Sequence, residues 1–294
     1  MPRLPSLRVL RRARARGGLL ATVGLAALVA VAALVAGLGR SSPDASPSVV
    51  WAVGDGADGG EAGRALGARI ARSRVDRFLY LGDVYERGTL EEFRRNYAPA
   101  YGRFARVTAP TPGNHDWPLH RKGYDRYWQH LTGALPRLHY SFETGGWQII
   151  SVNSETPDDP SQRRWLEQQL TEPGDCRIAF WHRPRFSAGG EHGDDPRVAP
   201  LWEAVRGRVR IVLNGHEHNS QRLKPIDGTT EFVAGAGGHS PYAIESEDPR
   251  AAWTDDAHQA ALRLDLRPTR ADYAWVTPTG KELDRGTIRC NDGD

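Results

Sequence analysis

The sequence predicts an α/β domain of two packed β-sheets flanked by helices, and three observations carry that expectation. From Val49 onward, apolar strand-like runs alternate with amphipathic helix-like stretches. Five of the strand-like runs end in Asp, Asn or His, where an open α/β sheet presents its functional loops. After Leu213 the pattern turns mostly to β, which leaves two strand-rich halves with helices outside them.

In chain order, Val49 to Val53 is the first strand and stops at Gly54-Asp55. Ala62, Ala65, Leu66, Arg69 and Ile70 then repeat at helical spacing. The strand Phe78 to Leu81 runs into Gly82-Asp83. Thr89 can cap a helix containing Leu90, Phe93 and Tyr97. Arg106 to Ala109 leads to Gly113-Asn114-His115-Asp116. Leu138 to Phe142 and Trp147 to Val152 flank Thr144-Gly145-Gly146, a hairpin signal. Ser161 to Leu170 is an amphipathic helix, with Trp165, Leu166 and Gln169 on neighbouring turns. Ala179 to Trp181 precedes His182, and Val209 to Leu213 precedes Gly215-His216-Glu217-His218. Further strands are expected from Arg222 to Ile226, Thr230 to Ala234, Ala260 to Leu266, Ala271 to Val276 and Arg285 to Arg289.

The 294 residues, 39% of them hydrophobic, suffice for one large core or two small ones. The formal charge of +3 belongs to the N-terminus. Residues 1–40 hold seven arginines and no acid, and beyond them 32 bases face 36 acids, a net of −4. A mildly acidic body argues against a nucleic-acid partner, which calls for a clustered basic face. The apolar run Leu19 to Gly39 behind Arg8, Arg11, Arg12, Arg14 and Arg16 reads as a signal peptide or an N-terminal membrane anchor. Either places the body outside the cytoplasm, with a cytoplasmic N-terminus if the segment is retained. Residues 41–48, with Pro43 and Pro47, read as a linker to a domain spanning 49–294. Cys176 and Cys290 are the only cysteines, and an exported pair invites a disulfide between the C-terminal strand and the strand ending at His182.

The strand ends gather Asp55, Asp83, Asn114, His182, His216 and His218, and a metal centre is the leading expectation. Mixed nitrogen and oxygen donors suit iron, zinc or manganese better than calcium. The ordered set Asp55, Gly-Asp83, Gly-Asn114-His115-Asp116, His182 and Gly-His216-x-His218 resembles the calcineurin-like metallophosphoesterase superfamily, in pattern closest to its purple acid phosphatases, over about residues 49–240. The resemblance implies a four-layer αββα sandwich of two mixed β-sheets flanked by helices. It also implies two divalent or trivalent ions, Fe with Fe, Zn or Mn, and a hydroxide formed on them that attacks phosphorus. Asp83 would bridge the pair, Asp55 and His218 would hold the first ion, and Asn114, His182 and His216 the second. Such a pair clamps the attacking and leaving oxygens. His115 would protonate the leaving group, a task its ordinary pKa of ~6.5 suits.

Two departures from the pattern matter. Ala57 stands where many members carry a histidine ligand. Gly82-Asp83-Val84-Tyr85 is one residue short of the Gly-Asp-x-x-Tyr of purple acid phosphatases, so with a one-residue deletion Tyr85 becomes the missing ligand. Without a gap, Glu86 aligns with the acid that orients the catalytic histidine in serine/threonine phosphatases, and Tyr85 packs. Asp116 is either an orienting partner for the site or a turn or helix-cap residue. His192, in a glycine-rich loop past His182, could bind a phosphate oxygen, and Arg183 and Arg185 could pair with phosphate. His239 reads as part of a small-residue turn, and Trp117 could wall the cleft.

The resulting expectation is an exported hydrolase of small phosphoesters. Phosphomonoesters come first and phosphodiesters second, and the rival is a surface domain that keeps the fold for binding alone. A membrane is a partner only through an uncleaved N-terminal segment.

Overall fold

The computed structural model describes residues 46–172, 174, 176–244 and 247–290. The expected targeting segment and most of the linker lie outside them. Among the described residues no helix is long and apolar enough to cross a membrane.

Among the described residues, thirteen strands build two mixed sheets. In the six-stranded sheet, β1 (Ser48–Val53), β2 (Arg77–Tyr80) and β3 (Thr108–Pro110) run parallel. They continue across the antiparallel β11 (Ala261–Arg267), β12 (Arg270–Val276) and β13 (Glu282–Arg289). The seven-stranded sheet has a parallel centre of β5 (Trp147–Ser151), β6 (Arg177–Phe180), β7 (Ile211–Asn214) and β9 (Thr230–Ala234). β4 (Tyr140–Thr144) edges it on one side, and β8 (Ser220–Leu223) with β10 (Ala251–Asp255) on the other.

Side-chain alternation along the strands builds three cores. Val50, Ala52, Leu79 and Leu81 meet Ile149, Ile178, Phe180, Ile211, Leu213 and Phe232 between the sheets. The other face of the first sheet, with Val49, Trp51, Val53, Phe78 and Tyr80, packs on Leu66, Ile70, Tyr97, Tyr101 and Trp128. The other face of the second, with Ile150, Ala179, Trp181 and Val212, packs on Leu166, Leu201, Trp202 and Val205. Those helical residues come from α1 (Glu61–Ile70), a π turn (Phe93–Tyr97), α3 (Ala98–Tyr101) and α4 (Tyr124–Thr132) on one side, and from α5 (Pro160–Gln169) and α6 (Ala199–Val205) on the other. Three cores between four layers give the αββα sandwich.

Local chemistry sets the boundaries. The Thr89 hydroxyl accepts from the Glu92 amide, while Glu92 reaches back to the Thr89 amide. This capping box starts α2 (Leu90–Glu92), and a π turn, Phe93–Tyr97, carries the helix on into α3. Asp159 caps α5 ahead of Pro160. Gly145 and Gly146 at φ +61° and +83° turn the β4–β5 hairpin. Several expected strands shift: 138–142 forms at Tyr140–Thr144 and 285–289 begins already at Glu282, and two more shift for a local reason. The strand expected from Arg106 forms only at Thr108, because the Val107 amide turns back to the Phe104 carbonyl. The strand expected over 222–226 is β8, and it stops at Leu223 ahead of Pro225, which lacks an N–H for the ladder. A disulfide joins Cys176 and Cys290, their Cα atoms 4.7 Å apart. It ties the start of β6 to the end of β13, so it staples one sheet to the other at the opposite end of β6 from His182.

Candidate metal centre

The parallel strands of both sheets end at one place. The His216 amide after β7 donates to Asp55 Oδ2 after β1 at 2.8 Å, which joins the sheets through site residues. Asp55, Asp83 and His216 hold φ of +58°, +67° and +72°, left-handed backbone that non-glycine residues seldom adopt. Strain of that kind persists where function fixes it. Gly113 is required for a different reason: a Cβ there would run into the Asp83 carboxylate.

Two donor groups result. Asp83, His182 and His216 each offer a ligand atom, all within 4.8 Å of one another. The Asn114 amide oxygen lies 3.0 Å from His182 Nε2, at the edge of that group. The second group centres on the Tyr85 hydroxyl, 2.9 Å from Asp55 Oδ1, 2.7 Å from His218 Nε2 and 3.3 Å from Asp83 Oδ2. Asp83 Oδ2 also stands 3.3 Å from His182 Nε2, so one carboxylate oxygen belongs to both groups. Asp55, Asp83, Tyr85, His182, His216 and His218 are all buried.

Charge and tautomer in this cluster fit cations. Burial, together with the nearby Asp83 charge, pushes the Asp55 carboxyl up to about 8. Burial opposes a charge on His182 as well, but the Asp83 carboxylate prevails and pushes the imidazole up to about 10. The buried Asp83 carboxylate thus draws positive charge into the site. His216 and His218 are held below the ordinary imidazole range, chiefly by burial, and so present neutral rings. His182 Nδ1–H donates to the Leu81 carbonyl at 2.8 Å and His218 Nδ1–H to the Ser240 carbonyl at 3.1 Å. Each bond fixes the ring with Nε2 toward the cluster, the arrangement that metal-binding histidines adopt. Burial and the Asp55 carboxylate hold the proton on Tyr85, so a phenolate here requires a cation.

His115 stands beside the groups without joining them. Its amide donates to Asp83 Oδ1 at 2.9 Å and its Nδ1–H to the Glu86 backbone carbonyl at 2.6 Å. Its Nε2 lies 4.0 Å from Asp83 Oδ2, and a third of the side chain is exposed. The exposed Glu86 therefore meets His115 through its backbone oxygen. Asp116 does not touch the His115 ring. It accepts the amides of Asp83, Val84 and Gly113 at 2.9 to 3.1 Å and so ties the β2 and β3 loops together.

Above the nitrogen donors, the His192 ring stacks on His216 at 4.0 Å and Tyr242 stacks on His218 at 3.9 Å. Arg183 clamps Glu155 with two hydrogen bonds and donates Nη1–H to His216 Nε2 at 2.9 Å. Arg185 lies instead over the Phe186 ring, and Trp117 stacks on His120. His239 comes closer than a simple turn residue would, 4.3 Å from the Tyr85 ring. Glu155, Glu217 and Tyr242 are site neighbours that the sequence reading did not single out. The signal for Glu217 was its place between two ligand-type histidines.

Known proteins resemble this chain in sequence pattern and in fold. The sequence pattern of the calcineurin-like phosphoesterases matches residues 40–220. A probable purple acid phosphatase 20 of Arabidopsis thaliana is 24% identical over 218 residues, 64% of this chain and 49% of the relative. The chain spans about half the length of the curated relatives it matches. Among solved structures, the purple acid phosphatase PPD1 from yellow lupin seeds superposes with a TM-score of 0.64 at 17% identity, over 85% of this chain and 55% of that one. GAP50, the anchor in the inner membrane complex of Plasmodium, gives 0.69 at 14% identity, over 83% of this chain and 89% of that one. These structural likenesses concern the fold. With its sequence pattern matched over more than half its length, the chain belongs to the calcineurin-like phosphoesterase family.

Proposed function

We propose that this protein is a metal-dependent phosphoester hydrolase with a dinuclear centre, acting first on phosphomonoesters. The observation that carries the reading is the single Asp83 oxygen shared, at 3.3 Å each, by the Tyr85-centred and the His182-centred groups. In this reading Asp55, Tyr85, His218 and Asp83 hold one ion, and Asp83, Asn114, His182 and His216 hold the other. When bound, the pair supplies Lewis acidity and an activated water. The choice of Tyr85 over Glu86 as the site residue rests on the three short contacts of its hydroxyl.

His115 is the proton donor to the leaving oxygen. Its Nδ1–H is committed to a carbonyl, which leaves Nε2 facing the cluster, and partial exposure lets a substrate reach it. His192 and Arg183 border the same face and can meet non-bridging phosphate oxygens. Three such donors favour a dianionic monoester over a singly charged diester. The Cys176–Cys290 disulfide supports an oxidising, extracytoplasmic setting.

The test is hydrolysis of an aryl phosphomonoester and the matching diester by the purified protein, with and without chelator. Hydrolysis should depend on metal and favour the monoester. His115→Ala should lower kcat by ~10²- to 10⁴-fold with metal content unchanged. Equal loss of metal in that variant would make His115 a ligand, and chelator-resistant turnover would defeat the reading.

A further inference from the structure

The loop between β7 and β8 continues the alternation of a strand. His216 and His218 face the donor groups, and Glu217, Asn219 and Gln221 point the other way, all three buried. A buried polar side chain needs partners, and these find theirs in two loops that cover the site. Glu217 Oε1 accepts the amides of His192 and Gly193 at 2.8 and 2.7 Å. The Asn219 side-chain amide donates to the Tyr242 carbonyl at 3.2 Å. Gln221 accepts the Ala188 amide at 2.8 Å and donates to Ser187 Oγ at 2.9 Å. The two loops are joined to each other by the Gly190 amide, which donates to the Ala243 carbonyl. Gly189 has no room for a Cβ, because the Glu217 carboxylate lies against it.

The covering loop, Ser187-Ala188-Gly189-Gly190-Glu191-His192-Gly193, has three glycines and cannot hold a shape by its own preferences. Its one large ring, His192, is exposed to solvent yet lies flat on His216, 13° from parallel. The hydrogen bonds that anchor the backbone at that ring are the two to Glu217.

We propose that Glu217 is a positioning residue: from beneath the loop it seats His192 where the imidazole can bind a phosphate oxygen. The proposal rests on the phosphoesterase reading above. The residue between the two ligand histidines thereby couples the metal centre to the substrate-binding loop. Two amides converging on one carboxylate oxygen give the loop a fixed register.

The test uses the full chain with Glu217→Ala, Glu217→Gln, His192→Ala and the Glu217→Ala/His192→Ala double variant. Binding of inorganic phosphate to metal-loaded protein is measured by calorimetry, and exchange of the 187–193 amides is measured without ligand. Glu217→Ala should weaken phosphate by about tenfold, as His192→Ala does, and the double variant should be no worse than either, the signature of two residues acting as one. The amides of His192 and Gly193 should lose protection in Glu217→Ala, and Glu217→Gln should keep protection and affinity. KM should rise more than kcat falls. Should Glu217→Ala not fold, Gly189→Ala presses a methyl on the same carboxylate and should reproduce the loss. Additive losses in the double variant, unchanged affinity in Gly189→Ala, or loss of metal from a folded Glu217→Ala would each overturn the proposal. A metal-loaded wild type that neither binds phosphate nor hydrolyses esters overturns the phosphoesterase reading itself. Intact hydrolysis with unchanged phosphate binding in His192→Ala overturns only the role of Glu217.

Discussion

The two sheets make unlike contributions to one centre. Strand ends of the six-stranded sheet bring oxygen: Asp55 after β1, Asp83 and Tyr85 after β2, Asn114 after β3. Strand ends of the seven-stranded sheet bring nitrogen: His182 after β6, His216 and His218 after β7. The oxygen half is fixed by backbone, because Asp116 gathers three amides and Asp83 takes a fourth from His115. The nitrogen half is fixed through its rings: His182 and His218 each commit one nitrogen to a carbonyl, of Leu81 and Ser240, and His216 is held by Arg183 and the stacked His192. His115, the imidazole beside Asn114 in the oxygen half, is left partly exposed and outside both donor groups. The division teaches that anionic ligands are best held by fixed amides, and imidazole ligands by committing one ring nitrogen to a fixed partner.

The sharpest way to break this comparison is at Asp83, where the halves meet. Asp83→Asn removes the charge common to both groups, and turnover should fall by roughly 10⁴-fold or more. Elemental analysis should show metal lost with it; retained metal and turnover would separate the halves into independent sites. The disulfide sits at the far end of β6 and serves as a control. Its reduction should cost ~4–5 kcal/mol in the entropic model, often less, and should leave metal binding of the folded protein unchanged. Urea unfolding beside metal analysis checks both. Asp116→Ala should cost about 3 kcal/mol, since several buried amides lose their acceptor, and should loosen the oxygen half before the nitrogen half. The smallest effect is expected at Tyr85→Phe, which should weaken one ion by ~10–100-fold and spare the other. With ferric iron bound, the wild type should show a visible tyrosinate band that this variant lacks.

Much of this was legible in the sequence because it is periodic or local. Alternating apolar residues mark β1, β2, β6 and β7, and the ligand-type residues directly follow them. Thr89 with Glu92, Gly145-Gly146 and the cysteine pair carry their own signatures. What escaped depends on distance. α4 is built on Tyr124, Tyr127 and Trp128, aromatic residues of weak helix preference that only packing makes helical. α6 has seven residues and opens beside a proline, too short for a periodic signal. Asp116 looks like a turn residue until the β2 loop, more than thirty positions earlier, delivers its amides. The competing alignments of Tyr85 and Glu86 each hold a part of the geometry: the tyrosine hydroxyl sits among the donors, and residue 86 orients His115 through a backbone oxygen, which no side-chain pattern can reveal.

The central claim is that two cations share Asp83 in a hydrolytic site. The most direct measurement is a metal titration of chelator-stripped protein, followed by elemental analysis and by phosphomonoester turnover at each step. The account predicts two equivalents per chain in the wild type, turnover that appears as the pair is completed, and neither in Asp83→Asn. Full turnover in the stripped protein, or two tightly bound equivalents with no phosphoester hydrolysis, would contradict it.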